Sequence, residues 1–281
     1  MDQARTPNPL TLAAITRELL GALNRFPRKS LGQHFLVDPQ VLERILNAAE
    51  ITKEDLIIEV GSGLGVITAE IAKRAGHVIA IEIDQELIRA SKEVLKDFTN
   101  VTFVESDFLK VDLDDLLKDF SDGEDIAYKV IGNLPYYITT PIIEKLFGAR
   151  NRPEVAVLMM QKEVAQRMVE KPGTKTYGAL SVFVQFHATV ELNSLVSKSS
   201  FYPWPEVSSA VVVLRPHHPP KYKVPSERLF LSIVHAAFQQ RRKQIRNSLE
   251  EFMPEIEKAG IDPNRRPETL SVEEFVQIAN G

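Results

Sequence analysis

The stretch Leu56-Ile57-Ile58-Glu59-Val60, closed by Gly61-Ser62-Gly63-Leu64-Gly65, constrains this chain more than any other. Five mostly apolar residues fit a strand buried on both faces, and the glycines behind it mark a tight turn. Ile67, Ile71 and Ala72 then recur at helical spacing, so the unit reads strand, turn, helix. The rhythm continues on both sides. Val41, Leu42, Ile45 and Leu46 form a helical face ahead of it. Strand-like runs come after it at His77–Ile83, Val101–Val104, Tyr128–Ile131 and Val155–Met160, with a helical face of Leu87, Ala90, Val94 and Leu95 between the first two. Strands and helices alternating through short connections predict a doubly wound, mostly parallel α/β sheet.

Further along the pattern changes. Thr189–Ser194 and Ala210–Leu214 predict two closely spaced strands that form an antiparallel edge around Pro203 and Pro205. Arg215–Pro225 holds four prolines and reads as a linker. From Ser226 to Gly281 only helical periodicity remains, and Ser271-Val272-Glu273-Glu274 fits a capping box for the last helix. The expected organisation is an N-terminal extension over 1–25, a Rossmann-like α/β domain over 26–216 and a small all-α domain over 217–281. Within the extension, Leu10–Leu23 fits a short amphipathic helix, read as a segment that packs or stays disordered without a functional role.

Composition narrows the chemistry. The 281 residues are 44% hydrophobic and 26% charged, as in a soluble globular protein. No apolar run approaches the roughly 18 residues a bilayer demands, and Met1–Arg28 lacks a signal-peptide pattern. A cytoplasmic protein without membrane contact is expected. Cysteine is absent, which excludes disulfides, thiolate nucleophiles, Cys-ligated zinc and iron–sulfur clusters. The six histidines show no metal-ligand spacing, and His217-His218 reads as loop, so no metal is expected. A net charge of −4 gives no general attraction to a polyanion. Charge is segregated, however: Arg25–Lys29 carries three basic residues and Phe238–Arg246 four, with no acid in either.

The glycine turn invites a ligand, because it lets one approach the backbone at a strand's C-terminal end. A nicotinamide fingerprint requires a third glycine at position 66, where this chain has Val66. The compact Gly61-x-Gly63-x-Gly65 after Glu59 is instead similar to motif I of class I methyltransferases. Glu82, about twenty residues on at the next strand's end, suits an acceptor for both ribose hydroxyls of S-adenosylmethionine. Asp107 suits an acceptor for the cofactor's adenine amine, with Phe108 packing on that ring. Each signal alone has a plain reading as turn, acid or helix cap. Three at successive strand ends favour a cofactor site.

Asn133-Leu134-Pro135-Tyr136, after the fourth predicted strand, is the most specific motif. An adenine amine is a poor nucleophile because its lone pair is conjugated with the ring. A site that methylates it must accept both N–H groups and turn the lone pair towards a methyl donor. The Asn133 side-chain oxygen and the main-chain carbonyl of Leu134 or its neighbour suit that task. Pro135 stiffens the turn, and Tyr136 suits stacking on an extruded base.

Lys29-Ser30-Leu31-Gly32-Gln33-His34-Phe35-Leu36, the glycine turn, Asn133–Tyr136 and Phe201-Tyr202-Pro203-Trp204-Pro205-Glu206-Val207-Ser208-Ser209 together resemble the KsgA (RsmA) family of rRNA adenine dimethyltransferases. The resemblance runs from about Pro27 to the C-terminus. It implies a class I methyltransferase fold, S-adenosylmethionine as cofactor, and dimethylation of two adjacent adenines in the 3′-terminal hairpin of small-subunit rRNA within a pre-ribosomal 30S particle. It also implies that His34 and Leu36 help close the cofactor pocket, and that Phe201 flanks the target base opposite Tyr136. The family often has Asn at position 34, so a main-chain contact is expected of His34. A monomer is expected.

Arg241, Arg242, Lys243 and Arg246 form the RNA-binding expectation. On one helix, 242 and 246 share a face that suits a row of phosphates. Two alternatives stand beside this reading. One is an Erm-like methyltransferase acting on large-subunit rRNA, the other a non-catalytic ribosome assembly factor.

Overall fold

The computed structural model describes residues 11–28, 31–120, 126–240 and 242–281. Leu10, Lys29, Ser30 and Arg241 therefore lie outside the described residues. The chain forms two compact units, one of residues 1–161 with 194–211, the other of 162–193 with 212–281. They interleave in sequence, whereas the sequence reading draws one boundary near 216.

The first unit runs α1 (Leu12–Ala22), β1 (Phe35–Leu36), α2 (Pro39–Ala48), β2 (Leu56–Val60), α3 (Val66–Ala72) and β3 (His77–Glu82). It continues with α4 (Gln85–Val94), β4 (Val101–Glu105), α5 (Leu113–Lys118), β5 (Lys129–Asn133), α6 (Thr139–Gly148) and β6 (Val155–Gln161). Next come α7 (Lys162–Val169), α8 (Ala179–His187), β7 (Ala188–Val196), β8 (Phe201–Tyr202) and β9 (Ser209–Pro216). The chain ends in α9 (Glu227–Gln239), α10 (Ile245–Ser248), α11 (Met253–Lys258) and α12 (Val272–Ala279).

The main sheet has seven strands in the order β4-β3-β2-β5-β6-β9-β7. The β4-β3, β3-β2, β2-β5 and β5-β6 ladders are parallel, while the short β1 and β8 pair antiparallel. This is the mostly parallel class expected from the alternation of elements. All five residues of β2 are buried, Glu59 included, which explains a run too apolar to alternate. The order also places the functional end. The chain builds outward from β2 through β3 to β4, then returns to β5 on β2's other flank, leaving a switch point between the C-terminal ends of β2 and β5.

Asp38 and Asp84 cap α2 and α4, each accepting main-chain N–H bonds with its side chain. In the second unit, Phe186 of α8 stacks on Phe230 of α9 with ring centroids 4.1 Å apart. Phe230, Ile233, Phe275 and Ile278 are all buried in the same cluster. Burial of each such side chain stabilises the unit by about 2–3 kcal/mol. Ser271 and Glu274 form the expected capping box, with Glu274 N donating to Ser271 Oγ at 3.2 Å and Ser271 N to Glu274 Oε2 at 2.8 Å. No helix among the described residues is long and apolar enough to cross a membrane.

Candidate active site

A cavity of about 1110 Å³, its open mouth included, lies at the C-terminal ends of β2 to β5. Its floor is the glycine turn. Gly61, Gly63 and Gly65 adopt φ of 76°, 55° and 77°, a region that disfavours any side chain. At Gly65 space is closed as well, since a Cβ there would lie 2.1 Å from Ser91 Oγ of α4. The turn is tied to the neighbouring strand by Gly61 N and Ser62 N, which both donate to Ile81 O.

Glu82 is buried against this turn and lines the cavity. Its Oε2 accepts from Gly63 N at 2.9 Å, and its Oε1 from Ile83 N and Asp84 N, each at 2.9 Å. Three main-chain donors thus fix the orientation of the carboxylate. Burial pushes its pKa up and the bonds oppose that rise, with the net shift upward. Asp107 and Phe108 line the same cavity, and Asp107 also caps the next one-turn helix by accepting from Leu109 N at 3.0 Å. The plain cap and the ligand-facing wall are therefore one residue in two roles. Glu59 is different: it is buried behind the turn rather than in the cavity wall. Burial pushes its carboxyl up to about 7, a Thr68 hydroxyl opposes this, and the Glu82 charge adds to it.

Asn133 ends β5 and also lines the cavity. Its Nδ2 donates to the main-chain oxygen of His34 at 2.8 Å. A carbonyl can only accept, so the amide nitrogen must face His34 and the amide oxygen must point elsewhere. The site next door is close: a Cβ on Gly61 would stand 3.8 Å from Asn133 O. The switch point thus brings the glycine turn and the polar tip of β5 together.

Leu134 is buried, its N donating to Met159 O at 2.9 Å, while Pro135 lines the cavity. Tyr136 is half-buried. Its hydroxyl bonds Ser209 Oγ at 2.7 Å and its ring stacks on His34, with centroids 6.0 Å apart and planes at 21°. The His34 ring is held in turn by Pro203 O, 2.8 Å from Nδ1. Leu36 lines the cavity from β1 and pairs with Phe201 on β8. Phe201 itself is only 1% exposed and stands outside the cavity wall.

Sequence reasoning passed over several residues here. Gln33, Ile83, Tyr137 and Thr16 all line the cavity, and Ser209 anchors Tyr136. Gly132 was also missed: a Cβ there would lie 2.7 Å from the Leu134 side chain. A glycine inside a buried strand was its signal. The basic segment needs a correction. Gln239 ends α9, and Arg242 and Lys243 sit in a turn before α10, so 242 and 246 do not share one helical face. Long-range main-chain bonds from Ile245 N to Arg265 O and from Arg246 N to Pro263 O fix the break. Arg242, Lys243 and Arg246 are all exposed.

Glycine turn, oriented acid and aromatic wall fit S-adenosylmethionine, and with the sheet they define a class I S-adenosylmethionine-dependent methyltransferase. Over residues 24–281 the sequence matches the family described as ribosomal RNA adenine dimethylase, and the chain belongs to that family. Ribosomal RNA small subunit methyltransferase A of Moorella thermoacetica is 46% identical over 289 residues, covering 99% of this chain and 98% of its own length. The protein of that name in Bacillus mycoides is 43% identical and covers 90% of each chain. Among solved structures, a dimethyladenosine transferase from Plasmodium falciparum superposes with a TM-score of 0.72 over 87% of this chain and 96% of its own, at 24% identity. The 23S rRNA methyltransferase ErmE gives 0.67 over 87% and 97%, at 26% identity. This chain is an enzyme that methylates adenine in small-subunit ribosomal RNA.

Proposed function

We propose that the tip of β5 grips the exocyclic amine of an extruded adenine and aims it into the cofactor pocket over the glycine turn. The single observation that carries this is the Asn133 amide, whose nitrogen is committed to His34 O. Its oxygen is left to accept one N–H of the target amine, and the Leu134 carbonyl suits the other. Two acceptors favour a pyramidal nitrogen with its lone pair directed away from the ring. Pro135 holds the turn, and the Tyr136 ring, steadied by His34 and Ser209, offers a stacking face for the base.

When bound, S-adenosylmethionine supplies a methyl group already activated on a sulfonium. The chain's own work is orientation, exclusion of water and electrostatics. Gly61, Gly63 and Gly65 shape the floor, Glu82 takes the ribose hydroxyls, and Asp107 with Phe108 holds the adenine. Glu59 acts from behind the turn, and His34 and Leu36 close the pocket beside it. Phe201 reaches the base only if the β1–β8 ladder shifts to uncover it.

The targets are two adjacent adenines of the 3′-terminal hairpin, methylated on a pre-ribosomal 30S particle in the cytoplasm by a monomer. The C-terminal helical unit contributes RNA contact through Arg241, Arg242, Lys243 and Arg246, a basic segment that suits phosphates. The names of the relatives and the resemblance of the motifs support the small-subunit choice; the likeness to ErmE in fold does not separate the two. Transfer of tritiated methyl groups tests it. Incorporation into small-subunit precursor particles and little into naked large-subunit RNA is expected, and the reverse preference would reject the assignment. A calorimetric titration without S-adenosylmethionine binding would revive the assembly-factor alternative.

A further inference from the structure

The family match begins at residue 24, so α1 lies outside it. Yet α1 is built into the cofactor site. Thr16, 1% exposed, lines the cavity. Leu20 packs with Leu64 of the glycine turn and with Leu87 and Ala90 of α4. The Arg17 guanidinium lies 5.5 Å from the centre of the Tyr202 ring. An eleven-residue helix is marginal by itself, so these anchors and the residues just beyond its C-terminus must hold it in place.

Those residues belong to an ion cluster. Arg25 Nη1 lies 3.0 Å from Asp84 Oδ1 and 2.5 Å from Glu86 Oε2. Arg28 reaches the same Asp84 at 3.6 Å, and Gln33 Nε2 donates to it at 3.2 Å. The Asp84 side chain is 3% exposed and stands two residues beyond Glu82. Burial alone would raise the Asp84 carboxyl, but hydrogen bonds from Arg25 and Gln33 outweigh it and hold the group below its ordinary range. The cluster therefore joins α1, the loop that carries His34 and the acidic end of β3.

We propose that α1 is a wall of the S-adenosylmethionine pocket, latched by the Arg25–Asp84 ion pair, with Thr16 touching the cofactor and Arg25 positioning the wall that retains it. Arg25 acts through the helix and touches no part of the ligand.

The test is the rate at which tritiated S-adenosylmethionine leaves the full-length chain under an excess of unlabelled cofactor. Arg25→Ala should release it about tenfold faster, as expected for loss of a partly buried charged pair. Arg25→Lys should recover most of the difference. Release from the unaltered chain should quicken modestly with added salt, because a partly buried pair is screened only in part, while release from Arg25→Ala should change less. A purely structural contribution to folding would not give that salt signature. In addition, Thr16→Phe fills the wall and should weaken equilibrium cofactor binding at least tenfold. Release from Arg25→Ala within twofold of the unaltered chain would overturn the latch, and unaltered affinity in Thr16→Phe would overturn the wall.

Discussion

The Asn133 amide has one permitted orientation, because His34 presents a carbonyl oxygen and a carbonyl cannot donate. Asn133→Ala should therefore leave S-adenosylmethionine affinity within about threefold while the methylation rate falls about 10²–10³-fold, the size expected when one aimed polar group is removed. Calorimetry and single-turnover kinetics on the same preparation separate the two effects. Glu82→Ala should do the opposite and weaken cofactor affinity, since its carboxylate is the oriented acceptor in the cavity. Glu59 gives a pH effect of definite sign. With its folded pKa raised from 4.5 to about 7, the native chain keeps a proton that the unfolded chain has lost between those values. Stability from this group is thus fully present at lower pH and is lost as pH rises through that window. Glu59→Gln should remove that loss, so the variant should gain about 2–3 kcal/mol over the unaltered chain between pH 5 and pH 8 in cofactor-free urea titrations. The residues named from the sequence lie where the chain itself signals a strand end: Gly61, Glu82, Asp107, Asn133. Thr16, Gln33 and Ser209 reach the site only through tertiary approach: Gln33 and Ser209 lie in recognisable motifs and Thr16 in a predicted helix, but no local pattern says what each side chain meets.

At the scale of elements, the strands were legible because burial on both faces leaves near-continuous apolar runs, as in β2 and β6. Ends were harder. α9 stops at Gln239 because α10 is tied to the distant Arg265 and Pro263, and no local residue announces such a bond. Among the described basic residues beyond it, Arg242 and Lys243 sit in a turn and Arg246 on α10, so they form no single helical stripe. Arg242→Ala, Lys243→Ala and Arg246→Ala should each lower the salt dependence of RNA affinity by about one unit of log–log slope, measured by filter binding across a salt series. The entry into α3 is equally constrained. Gly65→Ala meets both a positive φ and Ser91 Oγ, and should cost about 2–4 kcal/mol in a denaturant titration. The N-terminal helix was legible as a helix and illegible as a wall, since its amphipathic pattern does not say which surface it covers.

Across the whole molecule, the sheet order brings the glycine turn after β2 and the polar tip of β5 to adjacent strand ends, and the proposed chemistry rests on that adjacency. One experiment meets it head on. Small-subunit particles from cells lacking this enzyme are incubated with the purified chain and S-adenosylmethionine, and the rRNA is digested to nucleosides for mass spectrometry. The expected product is N6,N6-dimethyladenosine, formed by the unaltered chain and greatly reduced with Asn133→Ala. Equal yield from Asn133→Ala, or methyl groups found on a nucleoside other than adenosine, would contradict a site built to hold that amine.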